Sequence, residues 1–422
     1  MKRRSMLRFL FGAGGVGLTA AATGLPVTFL RTGRARADER GARFLVMMSN
    51  SAGDPFNCNT PGTYDDDFVW HPSGSDYEPI DLQVGDSVVR AARLWERLPL
   101  EMRQNTAFLH HATRSQLHSE LAKVLRLHGK TRGGFSVAEI IAQHNAPVLD
   151  TLQPNPLPLG DKDTLEVNGA PTPRLSPQSL KSLLVSDADD VLASFADLRS
   201  RELDRINAIL REHGNTEQRR LLDAMALSRQ EAAALGDAAG ELLSSITDDG
   251  PVSQMRAAIA LIRLRVAPVM SVNLPFGGDN HGDPNLDREG EEYRVGIDAI
   301  RVLFEEAAAA GLADQIAFAT LSIFGRSLRR FNNGRTHHPV HSTMMLYAPG
   351  IRGGVFGGVA DDGRHGFLRA YDSRTGVPAE DGDVTIETSL PSVGKTLACA
   401  AGVPLAEVDE AITEGTVIAG AL

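Results

Sequence analysis

Several things are scarce in this chain. After residue 30 there is no apolar run long enough to cross a membrane, so no permanent span is expected in the main body. Cysteine is nearly absent: Cys58 and Cys399 are the only two in 422 residues. Two cysteines so far apart leave a disulfide and two thiols equally open. There is no internal repeat and no low-complexity tract. Basic residues are in deficit beyond residue 37, with 36 Lys and Arg against 53 Asp and Glu, a formal charge of −17. Such a surface repels nucleic acid and anionic lipid. A polyanionic substrate would need a local positive site made of arginines or metal ions.

The first 37 residues are the opposite case, holding seven basic and no acidic residues. Lys2, Arg3, Arg4 and Arg8 form a basic head, Phe9 to Leu30 is apolar but rich in Gly and Ala, and Ala35-Arg36-Ala37 is a small-x-small cleavage signal. That order predicts a secretory signal over 1–37. The Arg3-Arg4-Ser5-Met6-Leu7 run addresses it to the twin-arginine export machinery. No cysteine follows the cleavage signal, which argues against a lipid anchor there. The remaining chain, 38–422, is expected in the periplasm or outside the cell.

Within 38–422 apolar strands alternate with helices. Arg43 to Ser49, Thr106 to His110, Val269 to Leu274, Ala317 to Phe324 and Thr343 to Ala348 read as strands. Helical patterns fall at 88–104, 118–128, 136–146, Ser253 to Val266, Gly290 to Ala310 and Ser392 to Gly402. Residues 150–180 are Pro-rich and read as a long loop, and Gly350 to Gly358 reads as a Gly-rich turn. A mostly helical insertion covers about 187–267. The alternation predicts an α/β domain with a largely parallel sheet flanked by helices, whose sites lie at the carboxyl ends of the strands.

The polar clusters fall there. Gly277 to Asp283 (GGDNHGD) puts Asp279 and His281 two residues apart after a strand, a ligand mix suited to zinc, manganese or iron. A calcium loop is excluded, because Pro284 stands where Gly is needed. Arg335 to His341 (RTHHPVH) holds three histidines in five residues. His110, His111 and His118, with Ser115, form a third cluster, and Asp54 ends the first strand. Arg326, Arg329, Arg330 and Arg335 suit recognition of phosphate or sulfate. Ser392 to Thr396 (SVGKT) lacks the earlier glycine of a phosphate-binding loop, Ser389 standing in its place.

In this order the motifs resemble the exported family called "domain of unknown function 1501", a branch of the alkaline phosphatase and sulfatase-like superfamily. They are Gly53-Asp54, His118 with Gly129, Gly278-Asp279-Asn280-His281, Ser322-Ile323-Phe324-Gly325-Arg326, Asn333-Gly334-Arg335-Thr336-His337-His338, and Gly350-Ile351-Arg352-Gly353-Gly354. The resemblance spans roughly residues 43–405. His337-His338 departs from the family's Asp-His pair, Ile323 from its Glu, and Gly278 from its Trp. The resemblance implies an alkaline phosphatase-like fold and the metal ligands Asp54, His118, Asp279, His281, His337 and His338. Imidazole in place of carboxylate favours zinc-like divalent ions. It implies an exported metal-dependent hydrolase of small or polymeric phosphate or sulfate esters. Arg326 and Arg335 would hold the anion, and Ser51 or Ser115 would be the nucleophile. The alternative is a non-catalytic binding or envelope-associated protein that keeps this fold.

Overall fold

Phe44 to Met48 is an unbroken apolar run, and all five residues are buried. A strand covered on both faces needs such a sequence, and this one, β1, lies inside the sheet. The computed structural model describes residues 41–54, 56–161, 165–167, 169–184, 242–276 and 279–422, with isolated positions between 202 and 240. The expected signal segment 1–37 and most of the expected insertion up to residue 239 lie outside the described residues. The chain divides into a larger unit, Ala37–Ser176 with Asp249–Leu422, and a smaller one that includes Pro177–Asp248. In the smaller unit, helix Pro177–Leu184 is tied to the turn before Asp248. Its Lys181 Nζ donates to the carbonyls of Ser244 and Ile246 at 3.1 and 2.7 Å.

The larger unit is built on a seven-stranded sheet. Its strands are β1 (Phe44–Met48), β2 (Thr106–His111), β3 (Leu157–Pro158), β4 (Val269–Val272), β5 (Ile316–Thr320), β6 (Ser342–Tyr347) and β7 (Gly354–Phe356). The spatial order is β7-β2-β6-β5-β1-β4-β3. All pairings are parallel except those of β6, which runs antiparallel to both β2 and β5. Helices α1 (Val137–Leu149) and α4 (Ser389–Ala400) pack on one face, sharing a core with Leu45, Met47, Leu109 and Met344. Ser136 starts α1 with a capping box: its Oγ accepts from Glu139 N at 3.2 Å, while Glu139 Oε2 accepts from Ser136 N at 2.7 Å. Helices α2 (Pro251–Arg263) and α3 (Asp287–Ala309) pack against each other, α2 contacts β4, and an aromatic cluster of Phe56, Trp95, Phe108, Phe276 and Tyr293 fills the space between α3 and the sheet.

The α/β architecture and the mostly parallel sheet agree with the sequence pattern. Four details differ. Residues 88–104 are not one helix. A hairpin, Pro79–Val84 with Ser87–Ala92, turns at Gly85-Asp86 and is followed by short helical turns. Gly85 has φ 57°, the left-handed value that two-residue hairpins require. Helix α2, expected at the end of the insertion, belongs to the larger unit. The loop 150–180 contains the edge strand β3, and the Gly-rich turn contains β7. Of the two alternatives the sequence left open for Cys58 and Cys399, the structure has the free thiols.

Candidate metal centre

Because β1, β2, β4 and β5 are parallel, their carboxyl ends share one edge of the sheet. The reversed strand β6 begins at that edge. The loops after the four parallel strands and the segment before β6 therefore converge, which is where such sheets bind ligands. Asn50 builds the first loop. Its Oδ1 accepts from Ala52 N at 2.7 Å, and its Nδ2 donates to Phe276 O, in the loop after β4, at 2.6 Å.

At this edge the donor atoms of His118, Asp279 and His337 all lie within 4.8 Å of one another. His281 joins them, its Nε2 being 2.8 Å from His337 Nε2 and 3.3 Å from Asp279 Oδ1. His118, Asp279 and His281 are exposed and His337 is half-buried, so a solute can reach the group. Two backbone carbonyls orient the rings. Ser51 O lies 2.6 Å from His118 Nδ1, and Gln116 O lies 2.8 Å from His337 Nδ1. A proton on each Nδ1 leaves each Nε2 a lone pair for an ion, the usual arrangement around metal-ligating histidines. Phe324 stacks on His337 at 4.2 Å and meets His118 edge-on at 5.1 Å. Gly53 makes room for this packing. A Cβ there would sit 2.5 Å from the Phe324 ring and 2.7 Å from Arg326 Nε, and its φ of 107° suits only glycine.

The charges suit a cation. Burial works to raise the Asp279 pKa, but Arg326 and His281 outweigh it and the carboxylate is held below its usual range. Burial pulls His337 downward, and the positive fields of Arg326, His281 and His118 add to this against the Gln116 hydrogen bond. The lowered pKa favours the neutral form of His337, which is the form of imidazole that can take a metal ion. Three imidazoles and one carboxylate fit a zinc-like divalent ion better than a hard, oxygen-seeking one.

Other expected site residues stand elsewhere. His338 follows His337 in a two-stranded ribbon with Gly325-Arg326, so the two side chains leave opposite faces. The His338 ring is buried against His365, and its Nε2 meets the Gly366 carbonyl. Asp54 is buried beside β6, accepting from Phe56 N at 2.8 Å and from Ser342 Oγ at 3.2 Å. Burial raises its pKa to about 7, against those hydrogen bonds, so it is a poor first choice of ligand. Ser115 is buried and donates to Glu120 Oε2 at 2.7 Å. Ser51 is half-buried beside His118. The Arg326 side chain is fully buried, donating to Asp279 Oδ1 at 3.2 Å and to the Ala52 carbonyl, so it braces the cluster instead of facing a substrate. Arg335 is fully buried with all five N–H groups engaged, by Glu289, Ser327 O, Leu328 O and Trp70 O, and cannot hold a substrate anion. Lys395 of the rejected phosphate-loop motif sits inside α4 and pairs with Asp409 at 2.5 Å. Sequence reasoning missed Phe324 and Glu289 as parts of the site, since neither an aromatic wall nor a buried counter-ion has a local signature.

No family model matches the chain, and no curated protein is similar to it.

Proposed function

We propose that the protein is a metal-dependent hydrolase of phosphate or sulfate esters, of the alkaline phosphatase-like type. Its basic head and cleavage signal direct it through twin-arginine export to the periplasm or beyond. One observation carries the reading: a ligand atom from each of His118, Asp279 and His337 lies within 4.8 Å of the others. The motif order that resembles the "domain of unknown function 1501" family supports the same class of reaction.

His118, Asp279 and His337 would hold a divalent ion, with His281 as the further donor. When bound, such an ion supplies Lewis-acid polarisation of an ester oxygen and a more acidic water. The chain's own residues do the rest. Ser51 O and Gln116 O fix the two rings in one tautomer. Arg326 keeps Asp279 ionised from below. Phe324 walls one side of His337. Neither Arg326 nor Arg335 reaches outward, so the negative charge of the ester falls to the metal centre. Ser51, whose backbone carbonyl lies 2.6 Å from His118 Nδ1, is the candidate nucleophile.

The test is metal analysis of purified protein with a phosphatase and sulfatase screen, using Asp279→Ala as comparison. The expected result is a stoichiometric divalent metal in the wild type, lost in the variant. Hydrolysis should fall by at least the about 10–100-fold that follows loss of a supporting residue. An unchanged rate removes Asp279 from the reaction. Metal binding with no ester hydrolysed favours the second reading, a non-catalytic exported binding protein. That reading draws on the engagement of Ser115, Arg326 and Arg335 in internal contacts.

A further inference from the structure

We infer that a buried clamp, made of Glu289, Arg335, Asn280 and Gly334, positions His337 against Asp279 and His281 and thereby sets the metal affinity of the site. Glu289 and Arg335 are positioning residues and not ligands. The inference rests on the metal-centre reading above and extends it to residues below the surface.

Glu289 and Arg335 form an ion pair with no exposed side-chain surface, at 2.8 Å from Arg335 Nε to Glu289 Oε2 and 3.2 Å from Nη2 to Oε1. A buried ion pair is a costly way to fill space, and apolar side chains of similar volume often serve stability better. Its strength is direction, because a guanidinium and a carboxylate meet in one fixed geometry. Here that geometry joins the two ligand-bearing segments. Glu289 Oε2 also accepts from Asn280 Nδ2 at 2.6 Å, and Asn280 stands between Asp279 and His281. Arg335 stands two residues before His337, and its backbone N–H donates to Asn280 O at 3.2 Å. Asn59 Nδ2 completes the carboxylate's partners at 2.8 Å.

Gly334 closes the contact. A Cβ there would lie 2.2 Å from Asn280 O and 2.7 Å from His281 O, so only glycine lets the two backbones approach so closely. The frame behind the clamp is α3. Its first turn carries Glu289, and Asp283 ties the end of the same loop to that turn by accepting from Glu289 N at 2.8 Å and Arg288 N at 3.3 Å. The Asp279–His281 loop is thus fixed by side chains at Asn280 and Asp283 to one rigid helix. Through Arg335 the same carboxylate fixes the segment leading to His337. The 2.8 Å approach of His281 to His337 follows from these ties.

The experiment is titration of the apo protein with Zn(II) by calorimetry and with Co(II) by visible absorption, for wild type, Asn280→Ala, Glu289→Gln and an exposed control, Asn285→Ala. Far-UV circular dichroism and thermal unfolding of each apo protein run alongside. Asn280→Ala spares the ion pair and cuts only the tie to the ligand loop, so it is the decisive variant. It should stay folded with a cooperative transition, weaken Zn(II) by about 10–100-fold and alter the Co(II) absorption bands. Glu289→Gln should do at least as much, and Asn285→Ala should match wild type. Wild-type Zn(II) affinity and Co(II) spectrum in folded Asn280→Ala would overturn the clamp and leave the metal reading standing. Loss of cooperative unfolding in apo Asn280→Ala would also overturn it, since the role would then be structural alone. A wild type that binds neither ion would overturn the metal reading itself.

Discussion

Asp54 keeps a proton to a pH at which most aspartates have long released theirs. Burial raises its pKa to about 7, against an unfolded value near 3.8. The folded chain binds more protons than the unfolded one between those limits. The contribution of Asp54 to stability is therefore full below about pH 4 and is lost as pH rises through 7, at about 1.4 kcal/mol per pH unit. Asp54→Asn retains an oxygen for the Phe56 N–H and has no charge to bury. Urea unfolding at a series of pH values should show the variant gaining on the wild type from pH 4 to 8. A second prediction separates two neighbours. His337→Ala should weaken Zn(II) binding by about 10–100-fold or more, while His338→Asn should leave Zn(II) affinity unchanged. Isothermal titration of both variants checks it. At this scale the sequence was legible for residue type and loop: Asp279 and His281 stood out as a pair after a strand, His337 as one of three clustered histidines, and the family resemblance added His118. Depth was not legible. Whether a histidine or arginine beside a strand faces water or the interior turns on a one-residue alternation. That alternation separates His337 from His338, and the partners in space of Arg335 leave no local mark.

Among the elements, the long ones declared themselves and the short ones did not. β1, α2, α3 and α4 have unbroken apolar or helical patterns, and the structure has them within a few residues of their expected limits. The second strand of the hairpin, Ser87–Ala92, was read from residue 88 onward as part of a helix because it is half exposed. Val88 and Arg90 stand where an inward alternation would normally be visible, and Val88 is 62% exposed. Its readable signal was Gly85-Asp86 between Val84 and Ser87. Strands β3 and β7 are too short, at two and three residues, to carry a periodicity at all. The capping box of α1 was equally open to inspection, as Ser136-Val137-Ala138-Glu139 before an apolar run. Ser136→Ala should lower unfolding free energy by about 1 kcal/mol, within a range of about 0.5–2, as measured by chemical denaturation. Metal content should not change, because α1 lies on the face of the sheet away from α3.

For the whole molecule, acid is the expected weakness. His110, His111 and His341 are buried at the ends of β2 and β6. Burial lowers all three, His110 to about 3, His111 to about 4 and His341 well below the ordinary value. His110 Nδ1 lies 2.8 Å from His341 Nε2, a contact in which one ring donates an N–H to the bare nitrogen of the other and which protonation of both rings would break. Below pH 6.5 the unfolded chain takes up protons that these folded rings refuse. Their contribution to stability is present above 6.5 and is lost as pH falls toward 4. Each ring adds a slope of about 1.4 kcal/mol per pH unit, and three of them outweigh the opposite slope of Asp54. The thermal midpoint should therefore drop between pH 6.5 and 4, and His341→Asn should flatten the drop.

The reversal of β6 has a consequence in time as well as in space. One side of the cluster comes from the loop after β2, and the other from the segment that enters β6, His337 standing 221 positions after Gln116. A chain still emerging from the ribosome cannot close that gap until His337 has been made. The cluster is thus assembled late in synthesis or after it. Selectivity among divalent ions in cells follows availability as much as intrinsic affinity. An ion held by this cluster would therefore be chosen by the compartment in which the chain folds, and the place of folding would become part of the chemistry.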